Sequence, residues 1–383
     1  MSTNLSRNTL LEVNHLSVDY YAASGTVHAV TDVSITLQRG EILGLAGESG
    51  SGKSTLAYAI TRLLRPPAVI TGGEVLYTRS YEEGKDISLT RLPRNEKAER
   101  KKIEDAAGPI DILQLSLAEL RAFRWNEISI VFQSAMNSLN PVMNIGTQIM
   151  DALQTHRPDM GPDSRKQRAI ELLKLVGITA DRVRSYPHEL SGGMRQRAVI
   201  AIALALNPDL IIMDEPTTAL DVVVQREILN LVSSLCKEFS TALIFITHDL
   251  SLLLELADNI AIMYAGKVVE KASSKDLYSH PRHPYSYGLL HSFPSLHGPR
   301  SKMTGIPGSP PDLRDLPPGC AFHPRCPLAF NPCNSVLPAL LSPHVDTPGQ
   351  LVACHLYDSR FYEEPPDTAV LAEKYEAMAE RSM

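Results

Sequence analysis

Long apolar runs are missing from this chain. The longest, Ala198 to Leu206, is nine residues, about half of what a membrane-spanning helix needs. The start, MSTNLSRNTL, carries neither an apolar block nor a small-residue cleavage site, so no secretory leader is read there. If the protein acts at a membrane, other chains are expected to do the spanning. Cysteine is also sparse, at five residues in 383, which excludes a disulfide scaffold. There is no excess of positive charge: 37 basic against 43 acidic residues leave a formal charge of −6. That excludes wholesale binding of nucleic acid by a basic surface, though not a local patch. No internal repeat is visible.

What is present suits two domains with a sizeable core, since 44% of the residues are hydrophobic and 21% charged. LLEVNHLSVDYY from Leu10 and the later VTDVSITLQRGE alternate apolar and polar residues, the period of half-buried strands, here antiparallel and separated by AASGT. EILGLAG (Glu41 to Gly47) is an apolar strand ending in glycine, and KSTLAYAITRLL after it has helical spacing. DLIIMDEP (Asp209 to Pro216) and ALIFITHDL (Ala242 to Leu250) are further apolar strands, the second followed by the helical SLLLELADN. Strands alternating with helices predict an α/β fold with a mostly parallel sheet covered on both faces.

Two stretches break the pattern. Apolar residues are scarce from Arg79 to Pro109, and ten of the fifteen residues Arg91 to Asp105 are charged with mixed signs, which suits a solvated excursion. Fifteen of the 27 prolines lie between Pro281 and Pro348, so a separate, largely irregular C-terminal region is expected that does not continue the sheet.

Gly47-Glu48-Ser49-Gly50-Ser51-Gly52-Lys53-Ser54 places two glycines five apart ahead of a lysine and a hydroxyl residue. Glycines let backbone wrap a phosphate, with amide hydrogens converging at a helix N-terminus. Lys53 is expected on the β- and γ-phosphates and the Ser54 hydroxyl on Mg²⁺. Asp214 and Glu215 end the LIIM strand, at the sheet edge where ligands gather. One carboxylate there can orient Mg²⁺ and its waters while the other polarises an attacking water. In LSGGMRQR, Ser191, Gly192 and Gly193 offer a hydroxyl, amide hydrogens and the positive end of a helix dipole, a second phosphate site about 140 residues from Lys53.

Together these motifs resemble the nucleotide-binding subunit of an ATP-binding-cassette (ABC) transporter, over about Leu10 to Tyr357. LSGGMRQR is similar to that family's signature sequence. Gln133 in VFQ resembles its Q-loop residue, Asp221 in TTALD its D-loop aspartate, His248 in ITHD its switch histidine and Tyr20 the aromatic that stacks on adenine. The resemblance implies an ABC-type domain over about residues 1–270, with a RecA-like parallel core, N-terminal antiparallel strands and a helical subdomain near 134–195. The ATP site it implies comprises Tyr20, Gly47, Ser49, Gly50, Ser51, Gly52, Lys53, Ser54, Thr55 and Gln133. Glu215 and His248 are the implied catalytic residues, and Ser54, Gln133 and Asp214 the implied Mg²⁺ contacts. Ser191, Gly192, Gly193 and Asp221 are expected to act on nucleotide held by an opposing cassette, so that each ATP is sandwiched between two chains.

RHPYSYGLL (Arg282 to Leu290) and GCAFHPRCP (Gly319 to Pro327) resemble the C-terminal extension of oligopeptide and dipeptide importer ATPases, placed here at 271–383. Cys320, Cys326, Cys333 and Cys354 run C-x5-C-x6-C-x20-C, matching neither a ferredoxin nor a zinc-finger spacing. Iron–sulfur, zinc and unligated thiols all stay open on spacing. The dipeptide-type resemblance implies a 4Fe–4S cluster. It further implies two integral-membrane permease subunits, a second and different ATPase chain, a solute-binding protein acting indirectly, and a place on the cytoplasmic face of the cell membrane. A non-transport cassette ATPase acting on nucleic acid or ribosomes is the rival. It is disfavoured because the long coiled coil, the second cassette and the basic surface of such proteins are all missing.

Overall fold

The structure is a computed structural model and describes residues 8–79, 108–133, 138–218, 220–292, 305–343 and 349–381. Most of the charged stretch expected between Arg79 and Pro109 lies outside the described residues, as does the start of the expected helical subdomain at 134–137.

Two sheets organise the chain. β1 (Thr9–Ala22) and β2 (Gly25–Gln38) form the expected antiparallel pair, joined by β4 (Ala68–Tyr77) and the two-residue β5 (Ile110–Asp111) in the order β2-β1-β4-β5. The alternation read from sequence is real but interrupted. Register slips between Val13 and Leu16, where His15 takes a φ of 53°, so Val13 and Leu16 both face inward three residues apart.

The second sheet has seven strands. They are β3 (Ile42–Ala46), β6 (Ile128–Val131), β7 (Leu210–Asp214), β8 (Ala242–Ile246), β9 (Asn259–Tyr264), β10 (Lys267–Ser273) and β11 (Leu351–Val352). Their order is β11-β10-β9-β3-β8-β7-β6. The five strands β9, β3, β8, β7 and β6 run parallel, and all of β3, β7 and β8 is buried. Burial on both faces is why these strands read as unbroken apolar runs. Alternate residues divide between two cores: Leu43, Leu45, Ile212 and Ile244 pack toward the antiparallel sheet, while Ile42, Ile211, Leu243 and Phe245 pack toward the helices.

The helical part comprises helices Ile145–His156 and Pro162–Leu175 and the signature-bearing helix Gly192–Ala203. Asn144 caps the first through its side chain on the Thr147 amide, and Gly146 meets Val183 so closely that a Cβ would lie 2.4 Å from its side chain.

The C-terminal region corrects one expectation. It is largely irregular, but it does continue the sheet: β11 pairs with β10 at Glu270–Val352 and Lys271–Leu351, and the Ala353 amide bonds the Val269 carbonyl at 2.8 Å. Proline density excludes a long strand, not a two-residue edge strand. Helices Ser274–Ser279, Pro284–His291 and Thr368–Arg381 complete the region. Tyr285, Leu289 and Phe322 bury their side chains in the main helix-side core.

Candidate active site

Parallel register puts the chemical residues on one rim. Leu45 pairs with Ile246, Ile246 with Asp214, and Met213 with Val131. The chain leaves the sheet from those rows, so Gly47, His248, Glu215 and Gln133 all emerge within two residues of a shared edge. This is the carboxyl end of the strands, where open α/β sheets bind ligands.

The glycine loop after β3 is built by steric need. Gly47 has a φ of 144° and a Cβ there would stand 2.2 Å from the Met263 carbonyl oxygen; Gly52 has a φ of 101° and its Cβ would stand 2.3 Å from the Ala29 carbonyl oxygen. Only glycine fits either place. Helix Lys53–Ile60 starts at Gly52 with no side-chain cap, leaving its first amides free to meet an anion. Lys53 is buried and donates from Nζ to the Gly47 carbonyl (2.8 Å), the Glu48 carbonyl (2.9 Å) and Ser51 Oγ (3.2 Å). Burial lowers its ammonium below the ordinary lysine range, while Glu215, Asp214 and Glu48 act to keep it charged. Ser49 and Gly50 are exposed at the loop tip. The Tyr20 hydroxyl lies 3.4 Å from Thr55 Oγ1, and Tyr20 packs on the core edge while Tyr21 is 53% exposed.

Ser54 Oγ donates to Asp214 Oδ1 at 2.9 Å. Asp214 is fully buried and its Oδ2 has no hydrogen-bond partner. Burial raises its carboxyl above the usual range, against the bonds it accepts from the Ser54 and Tyr58 hydroxyls. A buried, half-satisfied carboxylate beside a hydroxyl is a fitting donor set for a hard divalent cation such as Mg²⁺.

Glu215 follows with a left-handed φ of 44° that turns it off the strand end. Its Oε2 accepts from Gln133 Nε2 and from Thr218 Oγ1, both at 3.1 Å, and its Oε1 lies 3.3 Å from His248 Nδ1. Gln133 and His248, read separately in the sequence, therefore meet on the carboxylate of Glu215. Thr218 is a partner that sequence reasoning missed, although it lies inside the quoted TTALD.

Comparison with known proteins settles the family. The family model "ABC transporter" matches residues 30–218 and "Oligopeptide/dipeptide transporter, C-terminal region" matches residues 269–333. The chain is 41% identical over 359 residues to the oligopeptide transport ATP-binding protein AppD of Bacillus subtilis, covering 93% of this chain and 99% of AppD. The chain belongs to the ABC transporter family. It is also 41% identical over 349 residues to the oligopeptide transport ATP-binding protein OppD of Salmonella typhimurium, covering 91% and 93%. The dimeric ABC transporter cassette MJ0796 superposes with a TM-score of 0.55 at 27% identity, covering 69% of this chain and 99% of that one.

Within this ABC cassette, Ser191 caps the signature helix, its Oγ accepting from the Met194 amide at 3.3 Å. A Cβ on Gly193 would lie 2.7 Å from Val224, so the helix packs tightly on Val222–Phe239. Asp221 caps that second helix by accepting from the Val223 and Val224 amides at 3.1 and 3.0 Å. Ser191, Gly192 and Gly193 are all at least partly exposed.

The four C-terminal thiols share one neighbourhood. The Cys320 amide bonds the Cys333 carbonyl at 2.9 Å, and burial followed by the nearness of Cys326, Cys320 and Cys333 raises the Cys354 thiol well above the ordinary range. Burial pushes Cys320 up to about 11 and Cys326 up to about 12. Among the described residues no group of three or more His, Cys, Asp or Glu is placed to hold a metal ion. The donor type fits a thiolate-ligated centre, but burial disfavours four thiolates without a compensating cation.

Proposed function

We infer that this chain is the ATP-hydrolysing subunit of an ABC transporter that imports peptides. The observation that carries the chemistry is the convergence of Gln133, Thr218 and His248 on Glu215, next to a buried Lys53 and the Ser54–Asp214 pair. The C-terminal match and relatives named for oligopeptide transport support the peptide class.

The glycine loop, from Gly47 through Ser49, Gly50, Ser51 and Gly52 to Lys53, Ser54 and Thr55, would wrap the phosphates, with Tyr20 against the adenine. Ser54, Asp214 and Gln133 would hold Mg²⁺, which supplies charge neutralisation at the β- and γ-oxygens. Glu215 would take a proton from water as the water oxygen bonds the γ-phosphorus and the bond from that phosphorus to the β–γ bridging oxygen breaks, leaving ADP and inorganic phosphate. His248 holds the γ-phosphate in line.

Ser191, Gly192, Gly193 and Asp221 would complete the site of an opposing cassette. The exposure of Ser191–Gly193 and their anchoring on the helix that contains Val224 support this, as does the dimeric form of the MJ0796 cassette. The opposing cassette is a second, different ATPase chain in this reading. Two permease subunits would carry the peptide, delivered by a solute-binding protein, with this chain on the cytoplasmic face. Among the described residues no helix is long and apolar enough to span a membrane. A groove of about 500 Å³ beside Gln133, lined by Trp125, Phe132, Leu139, Met143, Val199 and Ile202, supports contact with those subunits there. Nearly complete switching of a two-state transporter needs roughly 5 kcal/mol in favour of the closed form, within reach of two sandwiched nucleotides.

The dipeptide-type resemblance of the C-terminal region is the ground for a 4Fe–4S cluster on Cys320, Cys326, Cys333 and Cys354, which the thiols would have to rearrange to ligate. Visible absorbance bleached by dithionite and about four irons per chain are expected from anaerobic purification. Stoichiometric zinc instead would overturn it. The function itself is tested by co-purifying the chain with its membrane subunits and measuring ATP-driven uptake of labelled peptides into vesicles. Uptake absent for every peptide, with hydrolysis stimulated by DNA or ribosomes, would favour the non-transport alternative.

A further inference from the structure

Glu48, the second residue of the glycine loop, is gripped from the far end of the chain. Arg325 sits in the turn His323–Arg325 between Cys320 and Cys326. Its guanidinium meets the Glu48 carboxylate through two bonds, Nη1 to Oε2 at 2.7 Å and Nη2 to Oε1 at 3.0 Å. The arginine side chain is 6% exposed and the glutamate 28%. The remaining guanidinium donors are also committed: Nε to the Pro307 carbonyl at 2.7 Å, Nη2 to the Gly308 carbonyl at 3.3 Å, and Nη1 to the Tyr264 hydroxyl at 3.3 Å. Arg325 lies over the rings of Tyr264 and Phe322. Those rings form a tight trio with Tyr285, at centroid distances of 4.6 to 5.3 Å.

The same bed holds the loop by a second bond, because the Tyr285 hydroxyl accepts from the Glu48 amide at 2.8 Å. The Glu48 carbonyl in turn accepts from Lys53 Nζ. Every polar group of Glu48 is thus fixed, and the residue links Arg325 to the lysine that meets the phosphates.

Charge adds a second consequence. Glu48 puts a carboxylate close enough to Lys53 to favour its charged form, and a negative group there repels a nucleotide's phosphates. A bidentate guanidinium cancels that charge and fixes its direction, which a lysine in the same place would not do.

We propose that Arg325 is a positioning residue for ATP: through Glu48 it fixes the start of the phosphate-binding loop and neutralises the carboxylate that the loop sets beside the phosphates. The cysteine-bearing region thereby helps to build the nucleotide site as well as covering the sheet edge.

The test uses the full-length chain, alone for equilibrium ATP binding by displacement of a fluorescent ATP analogue, and assembled with its membrane subunits for steady-state hydrolysis. Arg325→Gln should raise the Kd and the KM for ATP about tenfold or more, with kcat at saturating ATP within about twofold of wild type. Adding Glu48→Gln to that variant should bring the Kd back to within about threefold, because the uncancelled charge is gone. A purely architectural arginine would give no rescue, or a fall in kcat at constant KM, and either result overturns the proposal. Should Arg325→Gln fail to fold, the glutamate side decides while leaving the arginine in place. Glu48→Asp keeps the charge one methylene short of the guanidinium and should weaken ATP binding more than Glu48→Gln does. The reverse order, or equal effects, overturns the proposal.

Discussion

Replacing Glu215 by glutamine separates its proposed role as proton acceptor from its place as a hydrogen-bonding hub. The carboxylate is 18% exposed and accepts from Gln133 and Thr218 while facing His248. Glutamine has the same shape, can accept from Gln133 and Thr218 through its carbonyl, and can still meet the histidine ring through its amide. What it lacks is a lone pair basic enough to take a proton from water, and one negative charge. General-base loss costs on the order of 10²- to 10⁴-fold in rate, which is about 2.7 to 5.4 kcal/mol on the barrier. The lost charge acts the other way on binding, because the Glu215 carboxylate beside Lys53 would repel a γ-phosphate. Glu215→Gln should therefore bind ATP at least as tightly as wild type, hydrolyse it at least a hundredfold more slowly, and accumulate as the closed two-cassette form. Phosphate release by the assembled transporter, equilibrium binding and light scattering with ATP read the three quantities. Turnover within tenfold of wild type would refute the base assignment, and loss of ATP binding would show that the carboxylate is a structural prop.

Four further expectations follow from the geometry. Asp214→Asn removes the charge that Ser54 and the unpartnered Oδ2 frame, and should raise the Mg²⁺ concentration for half-maximal hydrolysis about tenfold or more; an unchanged Mg²⁺ titration would contradict the placement. Gly52→Ala forces a methyl 2.3 Å from the Ala29 carbonyl at a φ of 101°, so ATP binding should vanish and urea unfolding should register a loss of roughly 2–5 kcal/mol. Ser191→Arg should leave ATP binding by the separated chain unaltered but abolish ATP-driven closure with its partner, seen as no mass change by light scattering. His283 is buried with Nδ1 accepting from the Tyr285 amide, and burial pulls its pKa from 6.5 down to about 3. The unfolded chain binds that proton below pH 6.5 while the folded chain refuses it until about pH 3. Stability is therefore full above 6.5 and falls with acid by up to about 1.4 kcal/mol per unit. His283→Asn should flatten that acid limb by about one proton in urea titrations between pH 6 and 4.

The parallel strands were legible because burial on both faces leaves no room for polar residues, so LIIMD and ALIFI announce themselves. The loops at their ends were legible for a related reason: close approach to phosphate and divalent cation demands glycine, lysine and carboxylate, types that pattern alone can find. β4 was harder, since Gly72 and Gly73 interrupt AVITGGEVLY and Gly73 takes a φ of 92°. The two-residue β11 has no period at all. Proline removes ladder donors and so predicts a region standing off the sheet, yet Leu351 and Val352 join at an edge, where few donors are needed.

What pattern could not supply was the meeting of distant parts. Arg325 and Glu48 are 277 residues apart, one inside GCAFHPRCP and the other inside the glycine loop. Neither spacing nor periodicity links two such motifs, because their contact depends on β9 carrying Tyr264 beside the glycine loop and on Phe322 burying against it. The chemical signal was present only as a mismatch: an acidic residue in a loop meant to receive phosphates is unfavourable unless a cation covers it. A charge that contradicts the purpose of its own motif therefore predicts a partner elsewhere in the fold, and among the described residues that partner lies between two of the cysteines.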